Sequence, residues 1–119
     1  MKIRLKHDHR WDVSPYEAQQ IQKDLQAMVS ELELPGPIKT IGGVEIAHSR
    51  FSDSLVAAVS VVGFPDLQLI EQASSEHTTK FPYIPGLLSF REVPTVLAAL
   101  ERLTAMPDLL IVDGPGVAH

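Results

Sequence analysis

The amino-acid sequence predicts an α/β domain in which a three-stranded antiparallel meander and one parallel strand form a mixed sheet with flanking helices. Apolar residues recur at helical spacing in two regions, and four other short runs have the composition of strands. Short turn-like connections join the first three runs, which favours antiparallel pairing, whereas a helical region separates the third run from the fourth. In such a β-β-β-α-β order we expect the first and last strands to be neighbours.

The first helix is predicted over residues 14–32. Ser14 and Glu17 have the spacing of a capping box, and Pro15 takes the first helical position, where its missing N–H does no harm. Apolar side chains follow at helical spacing: Ala18, Ile21, Leu25, Met28, Val29 and Leu32. Residues 34–37, rich in proline, end the helix. Trp11, just before it, is expected to be a core anchor.

Three strands are predicted next, over residues 40–47, 54–62 and 67–75. Residues 50–53 are a short polar connection, and residues 63–66 form a turn cluster with glycine and proline. The middle strand is almost continuously apolar, so we expect it to lie centrally and to be covered on both faces.

A stiff loop with an aromatic tip follows at residues 81–86. Pro82 and Pro85 fix the backbone angle φ, and Gly86 releases the turn, so Tyr83 and Ile84 should be held on an exposed tip. An aromatic ring held in this way loses little entropy when it inserts into a partner. The alternative is an ordinary rigid connection.

The remaining elements are a helical region and a short strand. Residues 87–92 begin a helix, and because proline disrupts a helix interior, we expect a second helical segment to begin at Pro94 and to run to about residue 105. Residues 109–112 read as a buried parallel strand that delivers Asp113 to a glycine-rich turn.

Composition limits the possible functions. The chain has 119 residues, 45% hydrophobic and 21% charged, which predicts a single globular domain over residues 1–119. It contains no cysteine, which excludes disulfides and thiolate metal sites. No window approaches the ~18 apolar residues of a membrane span, and the polar N-terminus lacks a signal-peptide core, so a cytoplasmic location without membrane partners is expected. The net charge of −5 argues against binding nucleic acid through bulk charge, but it is compatible with a nucleic-acid enzyme whose acids surround metal ions.

Three acidic residues are candidates for such a site. Glu45 lies in the first strand, Glu92 lies on the helix after the loop, and Asp113 ends the last strand. Strand ends at one sheet edge commonly line a functional crevice, and converging carboxylates suit Mg²⁺ or Mn²⁺. Each residue also has a plain alternative: Glu45 could face solvent, Glu92 could pair with a basic side chain, and Asp113 could cap a turn.

Five stretches together carry a resemblance to a known family. They are His9-Arg10-Trp11-Asp12, Gly43-Val44-Glu45, the block FPYIPGLLSFRE at residues 81–92, Pro107-Asp108, and residues 112–119. In order and spacing, they make the chain resemble the N-terminal half of endonuclease V, the nuclease of deaminated purines.

The resemblance implies a ribonuclease H-like fold and Mg²⁺-dependent hydrolysis of a phosphodiester bond, one nucleotide beyond the lesion on its 3′ side. Inosine in DNA, and in some members RNA, is the implied target, which makes DNA repair the implied role. Tyr83 matches the wedge that replaces a flipped base, stiffened by Pro82, Ile84 and Pro85. Glu92 and Asp113 match metal-binding acids. Four further residues match the base pocket, and a histidine lies beside it: Gly86, Leu88, Gly114 and Gly116, with His119.

Two departures from the family leave alternatives open. Glu45 stands where the family has aspartate, and the sequence stops at His119, whereas the family continues. We therefore expect the last strand to need cover from another copy or from a separate second half. The chain could also be a catalytically impaired relative that binds nucleic acid or protein, or a fragment. Lys80 and Arg91 are possible phosphate contacts, and His48 and His77 are expected at the surface.

Overall fold

The computed structural model describes residues 2–31, 33, 36–49 and 52–113, which fold into two helices and four strands. In chain order these are α1 (Pro15–Gln26), β1 (Thr40–His48), β2 (Ser54–Gly63), β3 (Leu69–Thr78), α2 (Leu88–Glu101) and β4 (Leu109–Val112). The strands form one sheet in the order β3-β2-β1-β4. β2 pairs antiparallel with β1 and with β3, and β4 pairs parallel with β1. The predicted mixed α/β sheet is confirmed.

The main core lies between α2 and one face of the sheet. Along β2 the side chains of Leu55, Ala57, Val59 and Val61 are buried, whereas Val56 points to the other face and is 37% exposed. The expectation that β2 is covered on both faces is wrong for this part of the chain. The core cluster consists of Val44, Ala57, Val59, Val61, Val96, Ala99, Leu100 and Leu103.

Helix α1 begins as predicted and ends earlier than predicted. The Ser14 hydroxyl accepts a hydrogen bond from the Glu17 backbone N–H, and the Glu17 carboxylate accepts one from the Ser14 backbone N–H. The two bonds complete the capping box. The helix ends at Gln26, not at residue 32. Met28 and Val29 are 55% and 52% exposed, so the apolar pattern beyond Gln26 does not face a core that could extend the helix.

Helix α2 is a single helix that contains Pro94, so the predicted break at this residue is wrong. A proline in a helix interior costs about 3 kcal/mol. Phe90 is buried before the proline, and Val96 and Leu100 are buried after it. Burying such side chains contributes ~1.5–3 kcal/mol each, which offsets the cost.

A second cluster packs α1, the aromatic loop and α2 together. Its buried members are Ala18, Phe81, Leu87 and Phe90. Trp11 packs against them with its ring 5.6 Å from that of Phe90, as expected of a core anchor. No helix in the described ranges is long and apolar enough to cross a bilayer.

The starts of β1 and β4 are tied together by backbone contacts and close packing. The Asp108 carboxylate accepts hydrogen bonds from the backbone N–H groups of Lys39 (2.8 Å) and Thr40 (3.2 Å). These two hydrogen bonds lower the pKa of Asp108, and the bond from Lys39 has the larger effect. At Gly42 a Cβ atom would lie 2.9 Å from side-chain atoms of both Leu110 and Pro107. A larger residue at position 42 would therefore require Leu110 and Pro107 to shift.

Candidate metal and nucleic-acid site

The three candidate acids line one cleft. Val44 pairs with Val112 in the parallel register of β1 and β4, so Glu45 and Asp113 each follow a paired residue at the same edge of the sheet. Glu92 reaches this edge from α2 and is partly buried, whereas Glu45 and Asp113 are exposed. The cleft has a volume of about 140 Å³ and is lined by Val44, Glu45, Ile46, Glu92, Val112 and Asp113.

The donor set of this cleft suits a hard divalent cation, because all three charged groups are carboxylates. As placed, the side chains do not form a finished coordination shell. Within residues 2–31, 33, 36–49 and 52–113, no three His, Asp or Glu side chains converge closely enough to hold an ion. A cation here would therefore need side-chain movement that brings the carboxylates closer together, or ligands from other groups.

Sequence analysis missed His48, which was expected at the surface. His48 Nε2 lies 2.7 Å from Glu92 Oε2, and the two side chains are only 28% and 22% exposed. The basic partner considered as an alternative for Glu92 is thus present, within the cleft's surroundings. The available signal was strand alternation, since His48 has the same phase as the core-facing Val44 and Ile46.

The aromatic loop presents Tyr83 and keeps its neighbour Ile84 inside. Tyr83 is 64% exposed, and Pro82 and Pro85 are also exposed. Ile84 is partly buried and packs on the second cluster, so the expectation of two exposed tip residues holds for Tyr83 only. Gly86 has a φ of 88°, a left-handed conformation that glycine adopts without strain.

Two long-range hydrogen bonds anchor the ends of this loop. Arg91 Nη1 donates to the Phe81 carbonyl oxygen at 2.7 Å, and Gln22 Nε2 donates to the Gly86 carbonyl oxygen at 2.7 Å. The loop is therefore fixed to α2 at its start and to α1 at its end. This arrangement makes Tyr83 a rigid projection.

Arg91 is consequently a structural residue. Its side chain is 8% exposed, and Nη2 lies 3.8 Å from Asp53 Oδ1. The mostly buried guanidinium is held by the Phe81 carbonyl oxygen, which supports an anchoring role for Arg91. The suggested phosphate contacts of Arg91 and of the exposed Lys80 stay predictions. His77 is exposed, as expected.

Only part of the predicted base pocket lies within the described residues. Gly86 and Leu88 lie together at the start of α2 and are partly buried. Gly114, Gly116 and His119 lie outside the described residues. The pocket as a whole therefore remains a prediction.

A larger cleft of about 570 Å³ lies between the N-terminal segment, the loop and α2. Trp11, Phe81 and Phe90 contribute aromatic walls. Asp12 is the one carboxylate among the described lining residues, and it pairs with Arg10 at 3.0 Å. This cleft lacks the cluster of acids that the smaller cleft offers, so it is a weaker candidate for metal chemistry.

Comparison with known proteins adds a family relationship. The family model described as Endonuclease V matches residues 20–119. Endonuclease V of Dehalococcoides mccartyi strain BAV1 is 44% identical over 119 residues, which is 100% of this chain and 53% of the relative. The Roseiflexus castenholzii protein of the same name is 47% identical over 94% of this chain and 50% of its own length. The chain thus spans about half the length of these relatives.

Solved structures agree with the fold. The Streptomyces avermitilis endonuclease V structure superposes with a TM-score of 0.81 at 41% identity, over 92% of this chain and 49% of that one. A Ciona intestinalis endonuclease V, solved with a 24mer DNA containing an inosine followed by a ribo-adenosine, gives a TM-score of 0.77 at 21% identity. That match covers 87% of this chain and 47% of the other, and at this identity it supports the fold alone.

Proposed function

The chain belongs to the endonuclease V family, and we propose that it takes part in hydrolysing a phosphodiester bond on the 3′ side of a deaminated purine, above all inosine, in DNA or RNA. The observation that carries the proposal is the cleft shared by Glu45, Glu92 and Asp113. His48 joins this cleft to the aromatic loop, because it contacts Glu92 and its ring lies 6.0 Å from that of Tyr83. Acids suited to a divalent cation and a ring suited to replacing a base thus occur side by side.

In this proposal the three carboxylates hold Mg²⁺, with Mn²⁺ as a substitute. When bound, such an ion supplies an activated water and charge stabilisation for the leaving oxygen. The parallel register of β1 and β4 keeps Glu45 and Asp113 adjacent, and α2 brings Glu92 to them. The chain's own contribution is to bring these three residues to one cleft at the ends of β1 and β4.

Tyr83 is the wedge in this proposal. An aromatic ring that stacks on a nucleobase contributes about 1–3 kcal/mol, which compensates for lost base stacking when a nucleotide is flipped out. The two anchoring hydrogen bonds reduce the entropy that the loop loses on binding. Gly86 and Leu88, with Gly114, Gly116 and His119, are proposed to receive the flipped base.

The cleavage test compares wild type with Asp113→Asn on an inosine-containing oligonucleotide in Mg²⁺. We expect cleavage 3′ to the inosine by wild type and a loss of at least 10²-fold in the variant, since the variant removes a charged ligand. Asp24→Asn makes the same change on exposed α1, away from the cleft, and should cleave as wild type does. Equal cleavage by wild type and Asp113→Asn would refute the assignment of Asp113.

The wedge is tested by binding in the absence of divalent ions. Tyr83→Ala should weaken binding to the inosine-containing oligonucleotide about tenfold or more, because a stacking partner is lost. Tyr16→Ala is the matched control, since Tyr16 is 70% exposed on α1. A similar loss in both variants would show a nonspecific effect and remove the wedge role from Tyr83.

A second candidate function is a nucleic-acid-binding or protein-interaction module with impaired catalysis. Glu45 favours it, because its carboxylate lies one methylene farther out than that of the aspartate in the family. A displacement of about 1 Å can cost on the order of 10²-fold in a positioned site. Binding that depends on Tyr83, without cleavage in Mg²⁺ or Mn²⁺, would select this alternative.

We also propose that the functional form covers the β4 edge, either with a second copy of this chain or with a segment equivalent to the part of the relatives that this chain does not span. β4 lies at the edge of the described sheet, and Ile111 and Val112 are 58% and 52% exposed. Exposed apolar side chains on an edge strand favour association.

Light scattering tests the second copy. Wild type should give a mass above the 13.1 kDa of one chain, and this mass should fall in Ile111→Lys. A monomeric wild type at micromolar concentration would exclude the second copy.

A further inference from the structure

We propose that His48 is a positioning residue that orients the Glu92 carboxylate and connects it to Tyr83. This inference rests on the proposed function, which makes Glu92 a metal ligand and Tyr83 the wedge. His48 is the last residue of β1, so one strand carries both Glu45 and the group that holds Glu92.

The contact with Glu92 is short and largely shielded from water. Nε2 of His48 lies 2.7 Å from Oε2 of Glu92, and both side chains are less than one third exposed. An ionised carboxylate can only accept a hydrogen bond, so the geometry assigns the proton to Nε2. The other ring nitrogen, Nδ1, is buried and has no hydrogen-bond partner in the described structure.

This arrangement makes His48 a supporting residue rather than a metal ligand. Nδ1 is inaccessible to an ion because it is buried, and Nε2 is already occupied by the Glu92 oxygen. Groups that hydrogen-bond to a ligating carboxylate fix its orientation, and their loss typically costs 10–100-fold in metal affinity. The hydrogen bond leaves the second oxygen of Glu92, Oε1, free to face a cation.

The same imidazole ring contacts the wedge. The ring centroids of His48 and Tyr83 are 6.0 Å apart with an interplanar angle of 76°, an edge-to-face arrangement that aromatic rings favour. Because His48 contacts both side chains, a movement of Tyr83 into nucleic acid would remove a neighbour from the ring that holds Glu92. One side chain therefore contacts both Glu92 of the acid cleft and the wedge.

Three variants of the full chain test this role. His48→Phe keeps a ring beside Tyr83 and removes the donor, whereas His48→Gln retains an N–H donor on a side chain of similar reach. The control is His77→Phe, which makes the same change at an exposed histidine of the same sheet. His48 of β1 and His77 of β3 both pair with Leu55 of β2, from opposite sides. Circular dichroism at each titration temperature establishes which variants are folded.

The first readout is nitrogen-15 and proton NMR of the metal-free protein. We expect a proton on Nε2 of His48, and we expect the Tyr83 ring signals to shift in His48→Gln but not in His77→Phe. A His48 ring without a proton on Nε2, or Tyr83 signals that do not respond, overturns the inference. This readout depends on neither metal binding nor catalysis.

The second readout is Mn²⁺ affinity by titration. His48→Phe should bind Mn²⁺ 10–100-fold more weakly than wild type, His48→Gln should recover most of the loss, and His77→Phe should stay within about twofold. A purely structural role would lower stability without this recovery. Unchanged or tighter binding by folded His48→Phe, or no recovery in His48→Gln, overturns the inference while the proposed function stands. If wild type binds no Mn²⁺, the proposed metal site fails, and the NMR readout alone decides the role of His48. The NMR readout also decides this role in the case that His48→Phe does not fold.

Discussion

At the scale of residues, Glu45 is the acid whose replacement by aspartate is expected to raise the rate of cleavage. It lies on the exposed side of β1 and lines the cleft with Glu92 and Asp113. Relative to aspartate, its longer side chain moves the carboxylate by one methylene and adds a rotatable bond, which increases the freedom of a group that should be fixed. The chemistry of ligation is unchanged, because both residues offer carboxylate oxygens.

We therefore predict that Glu45→Asp raises the rate of Mg²⁺-dependent cleavage by up to about 10²-fold, with a smaller change in Mn²⁺ affinity. Single-turnover cleavage of an inosine-containing oligonucleotide measures the rate. Glu76→Asp, the same change at an exposed position of β3, is the control and should have no effect. A slower Glu45→Asp variant would mean that the cleft is built around the longer side chain.

Residues were predicted well where the type of residue determines its environment and poorly where tertiary contacts do. Tyr83 is exposed as the two flanking prolines suggested, but Ile84 turns inward because the second cluster offers it an apolar surface. Charged residues are seldom buried, so the buried Arg91 could not be expected before its acceptor, the Phe81 carbonyl oxygen, was known.

At the scale of elements, the alignment of β4 with β1 determines whether Glu45 and Asp113 meet. Gly42 is a point of close packing, since a Cβ there would lie 2.9 Å from Leu110 Cδ2 and from Pro107 Cγ. At the next residue, Gly43, an added Cβ would have nothing within 4 Å. The two neighbouring glycines thus provide an internal comparison.

Gly42→Ala should lower the free energy of unfolding by about 1–3 kcal/mol, because the added methyl overpacks the contact between β1 and β4. Gly43→Ala should change it by less than about 0.5 kcal/mol. Urea unfolding of both variants measures the difference. Equal stabilities would show that β4 does not pack against Gly42.

Asp108 gives the β1–β4 connection a dependence on pH. Its pKa in the folded state is lowered from the ordinary 3.8 by hydrogen bonds from the Lys39 and Thr40 backbone, so below that value the unfolded state binds more protons. The stabilising contribution is therefore fully present above about pH 3.8 and is lost as the pH falls through the lowered pKa. Asp108→Asn should be less stable than wild type at pH 7, and the difference should shrink on acidification. Urea unfolding at several pH values checks this, and a difference that stays constant from pH 7 to pH 2 would contradict it.

The elements themselves were largely predictable, with failures at their boundaries. The four strands were recognised as short runs with the composition of strands, and the first three also from the short turn segments that join them. Helix α2 was predicted in two pieces because the local cost of Pro94 is visible in the sequence, whereas the burial of Phe90 and Leu100 that offsets this cost is not. The end of α1 also depends on where its apolar partners stop.

At the scale of the whole molecule, α2 packs on one face of the sheet, and an acid-lined cleft lies where β1 and β4 end. The other face of β2 is only partly covered, and the β4 edge exposes Ile111 and Val112. The chain also spans about half the length of its relatives. The site as a whole stays a prediction, because three of its predicted pocket residues, Gly114, Gly116 and His119, lie outside the described part.

The central claim is that Glu45, Glu92 and Asp113 act together on one cation, and Mn²⁺ titration of neutral variants of near-equal size tests it most directly. Each of Glu45→Gln, Glu92→Gln and Asp113→Asn should weaken Mn²⁺ binding at least about tenfold, while Asp24→Asn binds as wild type does. Pairs of these changes should cost clearly less than the sum of the single changes, because they remove ligands of the same ion. Independent, additive losses, or a variant of any of the three that binds Mn²⁺ as tightly as wild type, would contradict the shared site.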